Sequence, residues 1–434
     1  MKKYDTYKDS GIQWIGQIPA GWKTSKLKYI SKFINGFAFA SNLFSPDEGC
    51  KVIRIGDICQ TIDYNSCIRA KIDASVIGQY RIHENDVLVA MSGATTGKSC
   101  LVNSIEEAYI NQRVGIIRSP SYKFIHYMLN TPFFYQYIML NNAGSAQPNI
   151  SSTAIEDYKI PLPPLSEQQA IVQFLDKKTG QIDQSIALLE TQKTDLQAYR
   201  QALITETVTK GLNPNAPMKD SGIQWIGEIP EGWCITKIKY LANTQENSFI
   251  DGDWIESPYV TDMGIRYLTS GNIGNGVFKR QGNGYITEDT FQKLNCKYAY
   301  PGDLVFCRLN QPFGRSCILP DEQDRYVLAV DNVILRTNED KRYICYLTQL
   351  ERYQNYIGML ANGTAMQRIS RTKLGNVNVP LPPLFEQKAI ADYLDKKTSD
   401  IDAALKQIDT QIADLQAYRT ALISEAVTGK IDVR

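Results

Sequence analysis

Histidine is nearly absent from this chain: His83 and His126 are the only two in 434 residues. The nine cysteines (Cys50, Cys59, Cys67, Cys100, Cys234, Cys296, Cys307, Cys317 and Cys345) form no Cys-x-x-Cys pair and are odd in number. Zinc sites gather thiolates and imidazoles at short spacings, so no metal site is expected and reduced, mostly buried thiols are. No run approaches the ~18 continuous apolar residues of a membrane helix. The lysines near the N-terminus have no apolar core behind them, as a signal peptide would require, so a cytoplasmic protein is expected. Charge of one sign is missing too, with 47 Lys and Arg against 46 Asp and Glu. Residues 1–160 hold 17 basic and 13 acidic side chains, 161–212 hold 5 and 6, 213–379 hold 18 and 18, and 380–434 hold 7 and 9. Bulk attraction to a polyanion is therefore excluded. Any affinity for nucleic acid must come from local arrangement or from basic partners.

What the chain does have is itself, twice. Lys8 to Trp22 reads KDSGIQWIGQIPAGW and Lys219 to Trp233 reads KDSGIQWIGEIPEGW, identical at 13 of 15 positions. Pro161–Val208 and Pro380–Val427 agree at 29 of 48 positions, including PLPPL, LDKKT and DLQAYR. Between these blocks the halves diverge, and the second variable region is eight residues longer. Asp86-Val87-Leu88-Val89 aligns with Asp303-Leu304-Val305-Phe306, whereas Gly36-Phe37-Ala38-Phe39 has no clear twin. A repeated frame with altered contents describes one fold used to recognise two different things.

The second constant block predicts a long helix. Pro161-Leu162-Pro163-Pro164 stops what precedes it, and Ser166 with Gln169 reads as a capping box that Phe385 lacks in the second copy. Leu175, Ile182, Leu189, Leu196 and Leu203 recur every seven residues, as do Leu394, Ile401, Ile408, Leu415 and Leu422. Five sevens in register predict a coiled coil, ending at Gly211 and Gly429. A helix from Ser166 to Val208 spans roughly 64 Å. Its natural partner is the other copy, antiparallel, with a pseudo-two-fold relation between the halves. The expected fold is α+β: variable domains at 1–160 and 213–379, joined by helices at 161–212 and 380–434.

Each variable domain reads as short strands (Val52–Ile55, Asp86–Met91 and Tyr109–Ile117 in the first) followed by one amphipathic helix, Lys123–Asn141 or its counterpart Lys341–Leu360. Three loop clusters carry the polar variety. The first offers Thr95, Thr96, Lys98 and Ser99 against Arg308, Asn310, Gln311 and Arg315. The second sets Gln147 and Asn149 against Gln367 and Arg368, and the third sets Gln112 and Arg113 against Asp331 and Asn332. Small residues let backbone amides approach phosphate, Lys and Arg neutralise it, and Asn, Gln and Arg pair with base edges.

Catalytic motifs fail on spacing. Gly93 to Ser99 has three residues between its glycines where a nucleotide-binding loop needs four. Asn310-Gln311-Pro312-Phe313 departs from the NPPF of amino-methyltransferases and lacks a glycine-rich cofactor fingerprint. Asp321 and Glu339-Asp340-Lys341 mimic a nuclease motif but lie in turns, off any apolar strand that would hold two carboxylates at metal distance. No catalytic residue is expected.

The paired WIGxIP blocks, the paired PLPPLxEQ helices and the two divergent domains together resemble the specificity subunits of Type I restriction–modification systems, over essentially the whole chain. That resemblance implies two target recognition domains reading the halves of a bipartite, asymmetric site on double-stranded DNA. It implies helices that set the unread gap and dock modification subunits, two of them, with restriction subunits joining. S-adenosylmethionine, ATP and magnesium would then belong to the partners and no cofactor to this chain. A coiled-coil adaptor and a self-sufficient restriction–methylation protein are the alternatives from other classes.

Overall fold

The computed structural model describes residues 2–59, 61–103, 106–141, 148–245, 247–282, 284–361 and 367–434. They divide into two compact units, Met1–Glu190 with Asp409–Arg434, and Thr191–Ile408.

In the first unit, an antiparallel sheet runs in the order Lys32–Asn35, Val114–Arg118, Val87–Ala90, Ser99–Leu101. Val87–Ala90 is buried at all four residues, so its sequence is a continuous apolar run rather than an alternation. A second sheet holds Ala108–Ile110 parallel to Cys50–Ile53, with Ile68–Ala70 and Phe44–Ser45 beyond. The second unit repeats the plan. Phe249–Asp251, Asn332–Leu335, Leu304–Cys307 and Ser316–Ile318 form its antiparallel sheet. Ile265–Leu268 lies parallel to Tyr326–Leu328 in its second.

One end of each antiparallel sheet is fixed by a carboxylate. Asp86 accepts from the amide of His83 at 2.7 Å and from Arg118 Nε and Nη2 at 2.7 and 3.0 Å. Asp303 does the same for the Tyr300 amide and Arg336. Asp86 is 3% exposed, so its removal strands a guanidinium that has lost its counter-charge. Asp86→Ala is expected to cost about 2–3 kcal/mol, the range for lost hydrogen bonds to a charged group, read by calorimetry as a lowered transition of the first unit.

Each variable domain enters and leaves through a two-stranded ribbon. Lys23–Lys26 pairs antiparallel with Lys159–Leu162, and Cys234–Lys237 with Asn378–Leu381. Where one helix was expected over 123–141 there are two, Tyr122–Leu129 and Pro132–Asn141. Pro132 has no amide to continue the first, and the Thr131 hydroxyl turns back to Met128 O at 2.7 Å. The counterpart is split likewise, into Lys341–Leu347 and Glu351–Leu360.

The long helices run Leu165–Lys210 and Leu384–Val427. Their starts use a different side chain from the expected Ser166 cap. Gln168 Nε2 donates to Pro163 O at 2.9 Å, and Gln387 Nε2 to Pro382 O at 2.8 Å. All ten heptad residues are buried or half-buried. In the first unit Leu175 and Ile182 share a core with Leu422, and Asp183 pairs with Arg419 at 2.9 Å. Further toward the helix start, Glu167 faces Arg434, so the pairing is antiparallel. Within the second unit Ile204 and Val208 pack with Ile390 and Leu394, and Arg200 faces Asp402 at 3.5 Å.

Gly211 and Gly429 follow the helix ends with φ of +76° and +71°. A side chain at Gly429 would strike Pro19 and Trp22, and one at Gly211 would meet Trp233 and Glu386. The constant IPxGW blocks are therefore seats for helix ends, which is why they recur when the rest of each domain does not. Burial accounts for six of the nine cysteines, all nine being free thiols, and it pushes the thiols of Cys100, Cys317 and Cys345 up to about 12.

Candidate nucleic-acid interface

The three loop clusters predicted from sequence meet at one end of each antiparallel sheet. In the first unit the strand Val87–Ala90 runs into Met91, whose amide donates to Arg113 O and whose carbonyl accepts from Ile150 N, both at 2.9 Å. Gly93 N donates to Pro148 O at 3.0 Å. In the second unit Arg308 N donates to Asp331 O at 2.8 Å, Ile369 N to Arg308 O at 3.0 Å, and Asn310 N to Gln367 O at 3.2 Å. One backbone lattice thus presents three loops in each unit.

This lattice corrects the pairing of the third cluster. Arg113 stands where Asp331 stands, so Asn332 corresponds to buried Val114 rather than to an exposed loop residue. Asn332 is wholly buried. Several other predicted contacts are placed in the framework. Thr96 is buried, its hydroxyl donating to Gly93 O at 2.7 Å and Pro148 O at 2.9 Å. Ser99 is buried and accepts from Asn130 Nδ2 at 3.1 Å. Arg308, 8% exposed, donates to Ile369 O and Val330 O and pairs with Asp251 at 3.2 Å. Arg315 donates to the carbonyls of Ser270, Ile273, Leu309, Asn310 and Pro312. Guanidiniums turned onto carbonyls, and in Arg308 also onto the Asp251 carboxylate, hold the loops rather than face a ligand. Thr95 is half-buried, its hydroxyl out of solvent.

Lys98, Gln112, Arg113 and Asn149 are exposed in the first unit, as are Asn310, Gln311, Gln367 and Arg368 in the second. Gln147 lies outside the described residues. Arg368 reaches Asp331 only at 3.6 Å with 59% of its side chain exposed, a loose pair that a phosphate or guanine could displace.

Two clefts adjoin these loops. In the first unit Lys98, Ser99, His126, Asn130, Asp183 and Arg419 line one of about 580 Å³. Burial, aided by Arg419 and opposed by Asp176, brings the His126 imidazole down to about 4, so it is neutral at pH 7. With Arg419 paired to Asp183, Lys98 supplies the positive charge at that wall. In the second unit Gln311, Phe313, Gln354 and Asn355 line one of about 690 Å³. Gln354 and Asn355 were not legible as site residues, because on a helix they read as an ordinary solvated face. The nuclease-like acids are structural: Asp340 caps Lys341–Leu347 and Glu339 accepts from Gln387 at 2.6 Å. Among the described residues no group of three His, Cys, Asp or Glu could hold a metal ion. What the loops offer is Lys and Arg beside amide side chains, a surface able to hold phosphates and pair with base edges.

The family model for the Type I restriction modification DNA specificity domain matches twice, over residues 19–197 and 230–413. The chain belongs to this family. A Type I restriction enzyme specificity subunit named MjaVIII, from Methanocaldococcus jannaschii, is 26% identical over 364 residues, 81% of this chain and 80% of that one. The EcoBI specificity subunit of Escherichia coli is 23% identical over 446 residues, 98% and 89% of the two chains. A chain solved in work on complex assembly and conformational transition of the type I R-M system superposes with a TM-score of 0.72 at 18% identity, covering 95% and 99%. As a Type I specificity subunit the chain has a DNA-specificity role within a restriction–modification complex. The two family matches begin in the constant blocks at Pro19 and Pro230 and so bracket the two three-loop platforms. No helix of the described residues is long and apolar enough to cross a membrane.

Proposed function

We propose that this chain is the sequence-reading, non-catalytic subunit of a cytoplasmic Type I restriction–modification complex. Its two domains read unlike halves of a bipartite, asymmetric DNA site, its helices fix the unread gap, and it scaffolds two modification subunits and the restriction subunits. S-adenosylmethionine, ATP and magnesium are bound by those partners. The observation that carries this reading is the same three-loop platform built twice with different exposed side chains: Lys98, Gln112, Arg113 and Asn149 in one, Asn310, Gln311, Gln367 and Arg368 in the other. Identical readers would suit a palindrome, and unlike readers suit an asymmetric site.

Sequencing the methylated bases of cells carrying the system tests it. Two dissimilar half-sites around a constant gap are expected, and one uninterrupted palindrome would overturn the reading. Single substitutions separate the roles of the loops. Arg368→Ala is expected to relax one position of one half-site, at about 1–3 kcal/mol of discrimination. Lys98→Ala is expected to weaken binding on all sequences alike and lower the salt slope by about one.

A further inference from the structure

We infer that Trp254 is a DNA contact of the second domain, an indole wedge that packs on the bases of one step, and that the first domain has no equivalent. The inference rests on the DNA-reading assignment above and adds a specificity-determining residue to it.

Trp254 is 69% exposed. Of the five tryptophans it alone faces solvent: Trp22, Trp225 and Trp233 are buried, and Trp14 is half-buried against Tyr137. With 69% of its surface open the indole is free to meet a ligand, and its position ties it to the reading loops. The turn Ala329–Asn332 holds both. On one side it takes Gly252 N onto Asn332 O at 2.9 Å and bridges Asp253 to Ala329. Its other side gives Asp331 O to Arg308 N and Asp331 Oδ1 to Arg368. Trp254 is the next residue after that bridge.

Its backbone is held on a firm mount. A side chain at Gly252 would strike the carbonyls of Leu328 and Ala329, so the strand end lies flush on the turn. Asp253 N donates to Leu328 O at 2.8 Å. Its carboxylate, 9% exposed, accepts from Lys297 N at 2.8 Å and Lys297 Nζ at 3.1 Å. Apolar side chains set on rigid rims unstack base steps, and aromatic ones keep contact through their faces.

The same geometry supplies the twin that the first unit seemed to lack. Phe37 bridges Asn111 as Asp253 bridges Ala329, and Gly36 lies on Asn111 O as Gly252 lies on Ala329 O. Ala38 therefore occupies the place of Trp254. A methyl group cannot wedge a base step, so this contact belongs to one half-site only.

The test compares wild type, Trp254→Phe and Trp254→Ala, each as the full chain assembled with its modification subunits. The probes are a duplex bearing the methylated site and a mixed-sequence duplex. Binding is read by anisotropy of dye-labelled DNA, assembly by size exclusion, and the indole by the emission difference between wild type and Trp254→Phe. We expect that difference spectrum to be quenched by the site duplex. Trp254→Ala is expected to bind it roughly 5- to 100-fold more weakly, with Trp254→Phe within about 3-fold of wild type. Binding that leaves the Trp254 emission and the alanine variant's affinity unchanged overturns the wedge while the DNA-reading assignment stands. Failed assembly of Trp254→Ala with normal DNA affinity makes the indole a protein contact and overturns it equally. If wild type binds neither duplex, the DNA-reading assignment itself fails.

Discussion

Replacing residues 1–160 with the corresponding domain of another specificity subunit changes one half of the methylated site and leaves the other half and the gap as they were. The expectation follows from where each domain keeps its core. Ile53, Leu88, Cys100 and Ile116 pack among themselves and their neighbours in the first unit. Leu268, Val305, Cys317 and Leu328 do so in the second. What a foreign domain must match is its own seat on the helices, and that seat is written in both copies. Tyr127 donates to Asp176 at 2.7 Å, and Tyr346 donates to Asp395 at 2.8 Å. Trp22 sits on the helix end at Gly429 and Trp233 on that at Gly211. A donor domain with an IPxGW block and a tyrosine at the Tyr127 position docks as the native one does. Specific sites bind about 10³–10⁷ times more tightly than random DNA, so methylation at the original site is expected to fall by at least about 10³. Methylome sequencing reads the new site. A change in both halves, or in the gap, would count against independent readers.

The constant parts were the legible parts. Heptad leucines and isoleucines recur because a seam demands them, and all ten are sheltered in the structure. Gly211 and Gly429 were readable as helix ends because the left-handed backbone there suits glycine. The loops were legible as groups and not as members. Composition cannot tell an arginine aimed at a ligand from one aimed at carbonyls: Arg315 and Arg368 are alike in sequence, yet one donates to five carbonyls and the other stands exposed. Asn332 was misread by a slip of one residue, which in a strand carries a side chain from one face to the other. Pro132 did announce the break between the two short helices, but apolar and aromatic residues continuing on both sides of it masked the signal. Trp254 was passed over because the match of Phe33-Ile34-Asn35-Gly36 with Phe249-Ile250-Asp251-Gly252 is short and stops two residues before it. Backbone pairing then shows the two positions to be equivalent.

Deleting one heptad from each long helix is expected to shorten the gap between the half-sites without altering either half. Seven residues removed from both partners return every seam residue to a seam position, so Leu175 and Leu422, or Leu394 and Val208, keep their apolar neighbours. Pairing along the seam makes the paired deletion necessary, since a cut in one helix alone would leave the other with unmatched turns. Seven residues of helix rise about 10 Å, and a duplex repeats in about 34 Å over some ten base pairs. The gap is therefore expected to fall by about three base pairs. That change also rotates one half-site about the duplex by roughly a third of a turn. Only part of that rotation can be matched by the protein, so slower methylation is expected at the shortened site. An unchanged gap in the methylome of the deletion strain would mean that the DNA, or a partner subunit, sets the spacing. The helices would then be docking surface alone.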